Sequence, residues 1–161
     1  MLEISIDKDQ TAEDLYADLR SAAVALVDGE QDAIANMANI AALIWQYVPG
    51  LNWAGFYRVV DGELVLGPFQ GKTACIRIAI GSGVCGAAAA TGKVQRVADV
   101  LAFPGHIACD ADSRSELVVP ITKDGEIIGV LDLDSPHPDH FGSADEAGMV
   151  QLIEAIANNL G

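Results

Sequence analysis

Residues able to do covalent or acid–base chemistry are gathered in a few short stretches of this chain. Cys109 follows His106 by three positions inside a polar segment, residues 99–116, that separates two apolar, strand-like runs. Loops longer than ~12 residues are uncommon in compact domains and are usually functional or disordered. Phe103 and Ile107 favour order, so the segment reads as a loop presenting Cys109 as a reactive thiol. Cys85 lies in Gly81-Ser-Gly-Val-Cys-Gly86, ahead of a short alanine-rich helix. Backbone N–H groups at that helix start would lower its thiol pKa. Cys75 follows the turn residues Gly71-Lys72.

Each feature has a plainer reading. Cysteines often serve as small buried hydrophobes. A zinc set of Cys75, Cys85, Cys109 and His106 can be written, but it lacks the paired ligand spacing of structural zinc sites. Gly81, Gly83 and Gly86 fit the dinucleotide fingerprint, yet mid-chain and beside hairpin-paired strands. A tight turn presenting Cys85 explains them better. Asp132 and Asp134 share one strand face by period two, and Glu116 adds a third carboxylate. They read either as a solvated face or as a pocket whose crowded carboxyls raise one another's pKa, keeping one protonated as a donor. Trp53 and Tyr57 also share a strand face; core packing is the default, and an aromatic wall for a cationic or sulfonium-like group is the alternative.

Composition narrows the classes. The 161 residues are 51% hydrophobic, which fits one folded domain, residues 1–161. A net charge of -14 repels phosphate backbones and anionic lipid, so neither nucleic acid nor a membrane is an expected partner. The first residues show no cationic flank before an apolar run, and the most apolar window, residues 40–48, is too short to span a bilayer. The expected compartment is therefore the cytoplasm, where thiols stay reduced and three cysteines make a poor disulfide framework.

The elements that must position these groups follow in order. Thr11 caps a first helix that closes at Asp28-Gly29, with Leu15, Leu19, Ala22, Ala23 and Leu26 inward. A second helix spans about 31–48, its stripe comprising Ile34, Met37, Ala38, Ala41, Leu43, Ile44 and Tyr47. Strands are predicted over 52–60 and 63–69, joined at Asp61-Gly62, and over 74–80, where Ala74, Ile76, Ile78 and Ile80 share a face opposite Cys75. A short helix over 87–91, a strand over 94–100 and two strands over 117–122 and 126–133, turning at Asp124-Gly125, come next. A last helix runs from about Ser143 to about Leu160. This pattern is α+β, an antiparallel sheet backed by helices.

Several stretches together resemble a known family: Asn52-Trp-Ala-Gly-Phe-Tyr57, Leu66-Gly-Pro-Phe-Gln-Gly-Lys72, Gly83-Val-Cys-Gly86, Phe103-Pro-Gly-His-Ile-Ala-Cys-Asp110, Ser115-Glu116 and Gly129-Val-Leu-Asp-Leu-Asp-Ser-Pro136. They are similar to the free methionine-(R)-sulfoxide reductases, compact enzymes on a GAF fold, over nearly the whole chain. The resemblance implies a central antiparallel sheet of about six strands with the N- and C-terminal helices on one side. It implies Cys109 as catalytic nucleophile, Cys75 and Cys85 as resolving cysteines, and Trp53 and Tyr57 as pocket walls. Glu116, Asp132 and Asp134 would hold the sulfoxide oxygen and the α-amino group, with Glu116 or Asp134 as proton donor. Implied too are free methionine-(R)-sulfoxide as substrate, thioredoxin as reductant, a homodimer, and no metal or organic cofactor. The sequence leaves open which of Cys75 and Cys85 resolves; a rigid strand position favours Cys75. Leu101 stands where many members have histidine and His140 where a basic residue is usual. Phe103, Pro104 and Gly105 are expected to act as lid and hinge over the pocket. The different reading that remains is a non-catalytic GAF sensor of a small ligand such as a cyclic nucleotide.

Overall fold

A computed structural model describes residues 4–7, 9–106 and 110–161. Cys109, to which the sequence assigns the central role, lies outside the described residues.

The first helix, α1 (Ala12–Val27), starts where Thr11 accepts the Asp14 N–H at 3.2 Å, with Glu13 and Asp14 in its first turn. Leu15, Leu19, Ala23 and Val27 recur every four residues and bury one stripe. Helix α2 (Ala33–Tyr47) is capped by Asp32, which accepts the Ala35 N–H at 2.8 Å. Met37, Ala41, Leu43, Ile44 and Tyr47 of the expected stripe are buried, while Ile34 and Ala38 are exposed and Asn36 and Ile40 are buried beside the stripe. Asn36 is tolerated inside because its amide donates to the Asn159 and Glu30 carbonyls.

Among the described residues six strands follow: β1 (Trp53–Val60), β2 (Glu63–Gly71), β3 (Arg77–Ala79), β4 (Gln95–Val97), β5 (Ser115–Lys123) and β6 (Glu126–Ser135). They form one antiparallel sheet in the order β3-β2-β1-β6-β5-β4. Both two-residue hairpins occur as expected. Asp61 and Asp124 adopt φ 51° and 53°, followed by Gly62 and Gly125 at 82° and 83°, the pair of positive φ values that a primed turn needs.

The two sheet faces do different jobs. On one, Phe56, Leu117, Val119, Leu131 and Leu133 pack under α1, α2 and the C-terminal helix α4 (Ser143–Ile156), as the terminal-helix expectation requires. Tyr16 of α1 donates to Asp145 of α4 at 2.7 Å, and α4 begins where Asp145 accepts the Gly142 N–H at 2.6 Å. On the other face, Trp53, Tyr57, Val118 and Val130 pack against α3 (Gly83–Thr91). That second face carries the polar residues of interest.

Three expected strands and helices are corrected. The strand over 74–80 contracts to β3, and its isoleucines do not share a buried face: Ile78 is 5% exposed, Ile76 72% and Ile80 39%. Pairing with β2 extends only from Glu63↔Ala79 to Val65↔Arg77, so Ala74 and Cys75 precede the ladder and both pack toward the α3 side. The strand over 94–100 likewise stops at Val97. Asp99 accepts the Leu101 N–H at 3.1 Å, caps a 3-10 turn (Val100–Ala102) and pairs with Arg114 at 3.2 Å, which turns the chain off the sheet. Helix α3 starts at Gly83 rather than Ala87, placing Cys85 in its first turn.

The chain's departures from its resembling family have structural places. Leu101 is 72% exposed on the 3-10 turn. His140 lies over Gly50, its ring hydrogen-bonded to the Pro49 carbonyl at 3.0 Å. Among the described residues, no helix is long and apolar enough to cross a membrane.

Candidate active site

Strand register assembles the carboxylates. Glu116 on β5 pairs with Asp134 on β6, and Asp134 pairs in turn with Trp53 on β1. Two residues along β6, Asp132 pairs with Gly55, the position between Trp53 and Tyr57. Alternation then puts Trp53, Tyr57, Glu116, Asp132 and Asp134 on the sheet face that α3 covers. Cys85, in the first turn of α3, comes down onto this group, its Sγ 3.8 Å from Glu116 Oε1. A cleft between the sheet and the α3 start is lined by Tyr57, Cys85, His106, Glu116, Asp132 and Asp134.

The aromatic wall is built by a glycine. Trp53 stacks on Tyr57 with ring centroids 5.9 Å apart and on Phe69 of β2 at 5.2 Å. A Cβ on Gly55 would sit 2.3 Å from the Phe69 Cβ and 2.8 Å from the tip of Trp53, so this stack requires glycine there. The polar tips of the wall then reach sideways. Trp53 Nε1 donates to the Lys72 carbonyl at 3.0 Å, and Tyr57 OH to the Cys75 carbonyl at 3.0 Å. Together they pin the β2–β3 connection, and with it Cys75, to the rim of the cleft.

The same rim is tied to the segment that follows residue 109. Lys72 pairs with Asp112 and with Asp110, the latter at 3.6 Å. Asn52 donates to Asp110 at 3.2 Å and to Ser113 at 3.1 Å. Phe103 packs onto the α3-side cluster, and Gly105 has φ 74°, a left-handed conformation suited to glycine. Phe69, Asn52, Lys72 and Ser113 were assigned no role from sequence. Phe69, Asn52 and Lys72 lie within stretches that carried the family resemblance, which was the available signal.

Burial governs the electrostatics. Glu116 and Asp132 are each 6% exposed, and desolvation pushes both carboxyls up, Asp132 to about 6. Glu116 is raised further by the charges of Asp132 and Asp134; Asp134 is likewise raised well above the carboxylate range by burial and by Asp132. A site of this kind holds protons at neutral pH. The expectation that α3 would lower the Cys85 pKa is overturned. Burial, then the Asp132 and Glu116 carboxylates, raise it well above the usual thiol value, outweighing the helix N-terminus. Burial also lowers the His106 pKa.

The cysteines separate by state. Cys75 is disulfide-bonded, and Cys85 is a free, buried thiol. A zinc set drawn from all three cysteines and His106 therefore does not fit this structure. The glycine motif has a local purpose. Gly81 N–H donates to the Gly86 carbonyl at 2.8 Å, and a Cβ on Gly86 would meet the Ala79 carbonyl at 2.5 Å. Gly81 and Gly83 have φ 92° and 62°. The motif makes a tight corner from β3 into α3, and its strand is antiparallel to β2 rather than part of a parallel βαβ unit.

An α+β domain with a buried thiol–carboxylate cleft on one sheet face matches the GAF domain family over residues 9–161. The chain is 51% identical to the free methionine-R-sulfoxide reductase of Escherichia coli, over 89% of this chain and 87% of that protein. It is 45% identical to the free methionine-R-sulfoxide reductase of Saccharomyces cerevisiae, over 81% and 77%. The X-ray structure of free methionine-R-sulfoxide reductase from Neisseria meningitidis in complex with its substrate superimposes with a TM-score of 0.91 at 42% identity, covering 99% of this chain and 95% of that one. The chain belongs to the free methionine-R-sulfoxide reductases, within the GAF-domain family.

Proposed function

We propose that this chain reduces free L-methionine-(R)-sulfoxide to methionine through a thiol, with Cys109 as nucleophile and Cys75 as resolving cysteine. The observation that carries the reading is the meeting of three buried or half-buried carboxyls with the Trp53–Tyr57 wall, beside the pinned Cys75 segment. A free amino acid brings an ammonium group that a buried carboxylate stabilises and a peptide amide cannot replace. The lining residues described contain no lysine or arginine, which disfavours a cyclic-nucleotide sensor, since phosphate would meet only acids.

The Cys109 thiolate attacks the sulfoxide sulfur, and Glu116 or Asp134, held protonated by burial, delivers a proton to the departing oxygen. The hydroxyl passes from the methionine sulfur to the Cys109 sulfur as the bond between the two sulfurs breaks, so methionine leaves with its sulfur reduced and Cys109 becomes a sulfenic acid. The Cys75 thiol attacks that sulfur, water departs, and a disulfide forms. A dithiol such as thioredoxin then reduces it by exchange. Cys75 is favoured over Cys85 because Cys75 is the disulfide-bonded cysteine, whereas Cys85 is a free thiol whose burial holds it protonated. A single domain over residues 1–161, a homodimer and a cytoplasmic location complete the proposal.

The test is reduction of free methionine-(R)-sulfoxide with thioredoxin, thioredoxin reductase and NADPH. Turnover of the free R epimer with negligible turnover of peptide-bound sulfoxide supports the reading. Full activity in Cys109→Ser overturns it.

A further inference from the structure

Cys85 and Asp132 are two buried groups in the cleft that the proposed chemistry leaves without a reacting role. With Glu116 they present one sulfur and two carboxylate oxygens within 4.8 Å of one another, all on buried side chains. The Cys85 Sγ to Glu116 Oε1 distance is 3.8 Å. A tetrahedral zinc with ~2.3 Å zinc–sulfur and ~2.0 Å zinc–oxygen bonds has a sulfur–oxygen edge of about 3.5 Å, so ligation needs only a small approach. Asp132 adds a further sign: its carboxyl is engaged by Cys85 and Glu116, the other two members of the set, yet its Oδ1 is buried with no hydrogen-bond partner, on a residue 6% exposed inside the cleft. A buried, unpartnered carboxylate oxygen is costly unless something binds it. The described lining supplies no lysine or arginine to do so.

We infer that Cys85, Glu116 and Asp132 form an inhibitory site for a borderline-soft divalent cation, with zinc as its preferred occupant. Three protein ligands leave a fourth position open toward the cleft, where water completes the tetrahedron. The thiol selects zinc over magnesium and calcium, which take oxygen ligands in larger shells. Because Glu116 and Asp132 also face the substrate space, the ion and the sulfoxide exclude each other. That competition rests on the proposed function; the binding of the ion does not. Cys85 is thereby a metal ligand rather than a spare resolving thiol.

The experiment uses the full chain, stripped with a chelator, in the oxidised form whose Cys75 is in a disulfide. Cobalt(II), as a spectroscopic stand-in, and zinc are titrated in turn. The expected result is one equivalent bound, with a thiolate-to-cobalt charge-transfer band that magnesium and calcium do not displace. Cys85→Ser should abolish the band, and both it and Asp132→Asn should weaken zinc binding roughly tenfold or more. His137→Ala should change nothing; it controls for the surface pair His137 and His140, whose rings lie 6.1 Å apart. Should the first two variants lose their circular dichroism spectrum, bleaching of the cobalt band by free methionine sulfoxide in the unmodified protein decides instead. No stoichiometric binding, no thiolate band, or binding that depends on His137 overturns the inference. Sulfoxide turnover in chelated buffer is read separately: its failure with zinc binding intact removes the reductase reading and leaves the site.

Discussion

Tyr57 donates its hydroxyl hydrogen to the backbone carbonyl of Cys75 at 3.0 Å, joining the aromatic wall of the cleft to the segment that carries the proposed resolving thiol. Burial raises the Tyr57 pKa, so the phenol stays a donor throughout the working range. Tyr57→Phe keeps the stack with Trp53 and removes only this bond. We expect a stability loss of ~1 kcal/mol in urea unfolding. In a quench-flow experiment with a sulfenic-acid trap, the trapped Cys109 species should persist longer than in the parent enzyme. An unchanged lifetime would detach Tyr57 from the resolving step.

The cysteines should separate kinetically. Cys75→Ser is expected to release about one equivalent of methionine per site and then stall with thioredoxin, because the sulfenic acid lacks its partner. Cys85→Ser should retain most multiple-turnover activity. Mass mapping of the disulfide after a single turnover checks both; a bond to Cys85 in the parent enzyme would reverse the assignment.

The Asp132 carboxyl sets a pH dependence. Its folded pKa, about 6, lies above the ordinary carboxylate value near ~4, so the folded state holds the proton where the unfolded chain has released it. Its stabilising contribution is complete below pH ~4 and is lost as pH rises through about 6. Asp132→Asn removes this titration. Denaturation series from pH 4 to pH 7 should therefore show the variant gaining stability relative to the parent with rising pH. A constant difference would mean that Asp132 does not titrate in this window.

His140 and Gly50 test a packing contact away from the chemistry. Gly50 has φ 76°, and a Cβ there would meet the His140 ring at 2.4 Å. Gly50→Ala should cost ~2 kcal/mol or more, the sum of a left-handed alanine and a displaced imidazole. In the His140→Ala background the same change should cost ~1 kcal/mol, the backbone part alone. Thermal melts of the double-mutant cycle measure the difference, and equal costs would show that the ring gives way freely.

Legibility in the sequence followed the range of the forces involved. The helix starts at Thr11 and near Ser143 and the hairpins at Asp61-Gly62 and Asp124-Gly125 were readable, because capping and turn chemistry act within a few residues. The shared face of Asp132 and Asp134 followed from strand alternation alone. One reading failed and one was adjusted where a distant partner decides. The extent of β3 depends on how far β2 can pair, and the buried face of α2 depends on what Asn36 meets near the C-terminus.

The stretch 103–110, with Cys109 as its focus, marked the family from sequence alone, since spacing and residue type are properties of the chain. What only the tertiary structure decided was the company each group keeps. Register across β1, β6 and β5 puts Trp53, Asp134 and Glu116 in one row, and α3 lowers Cys85 onto Glu116. A helix start by itself predicts an acidic thiol, but burial against two carboxylates makes it a reluctant one. Desolvation and charge proximity depend on three-dimensional neighbours, and these are set by strands far apart in the chain.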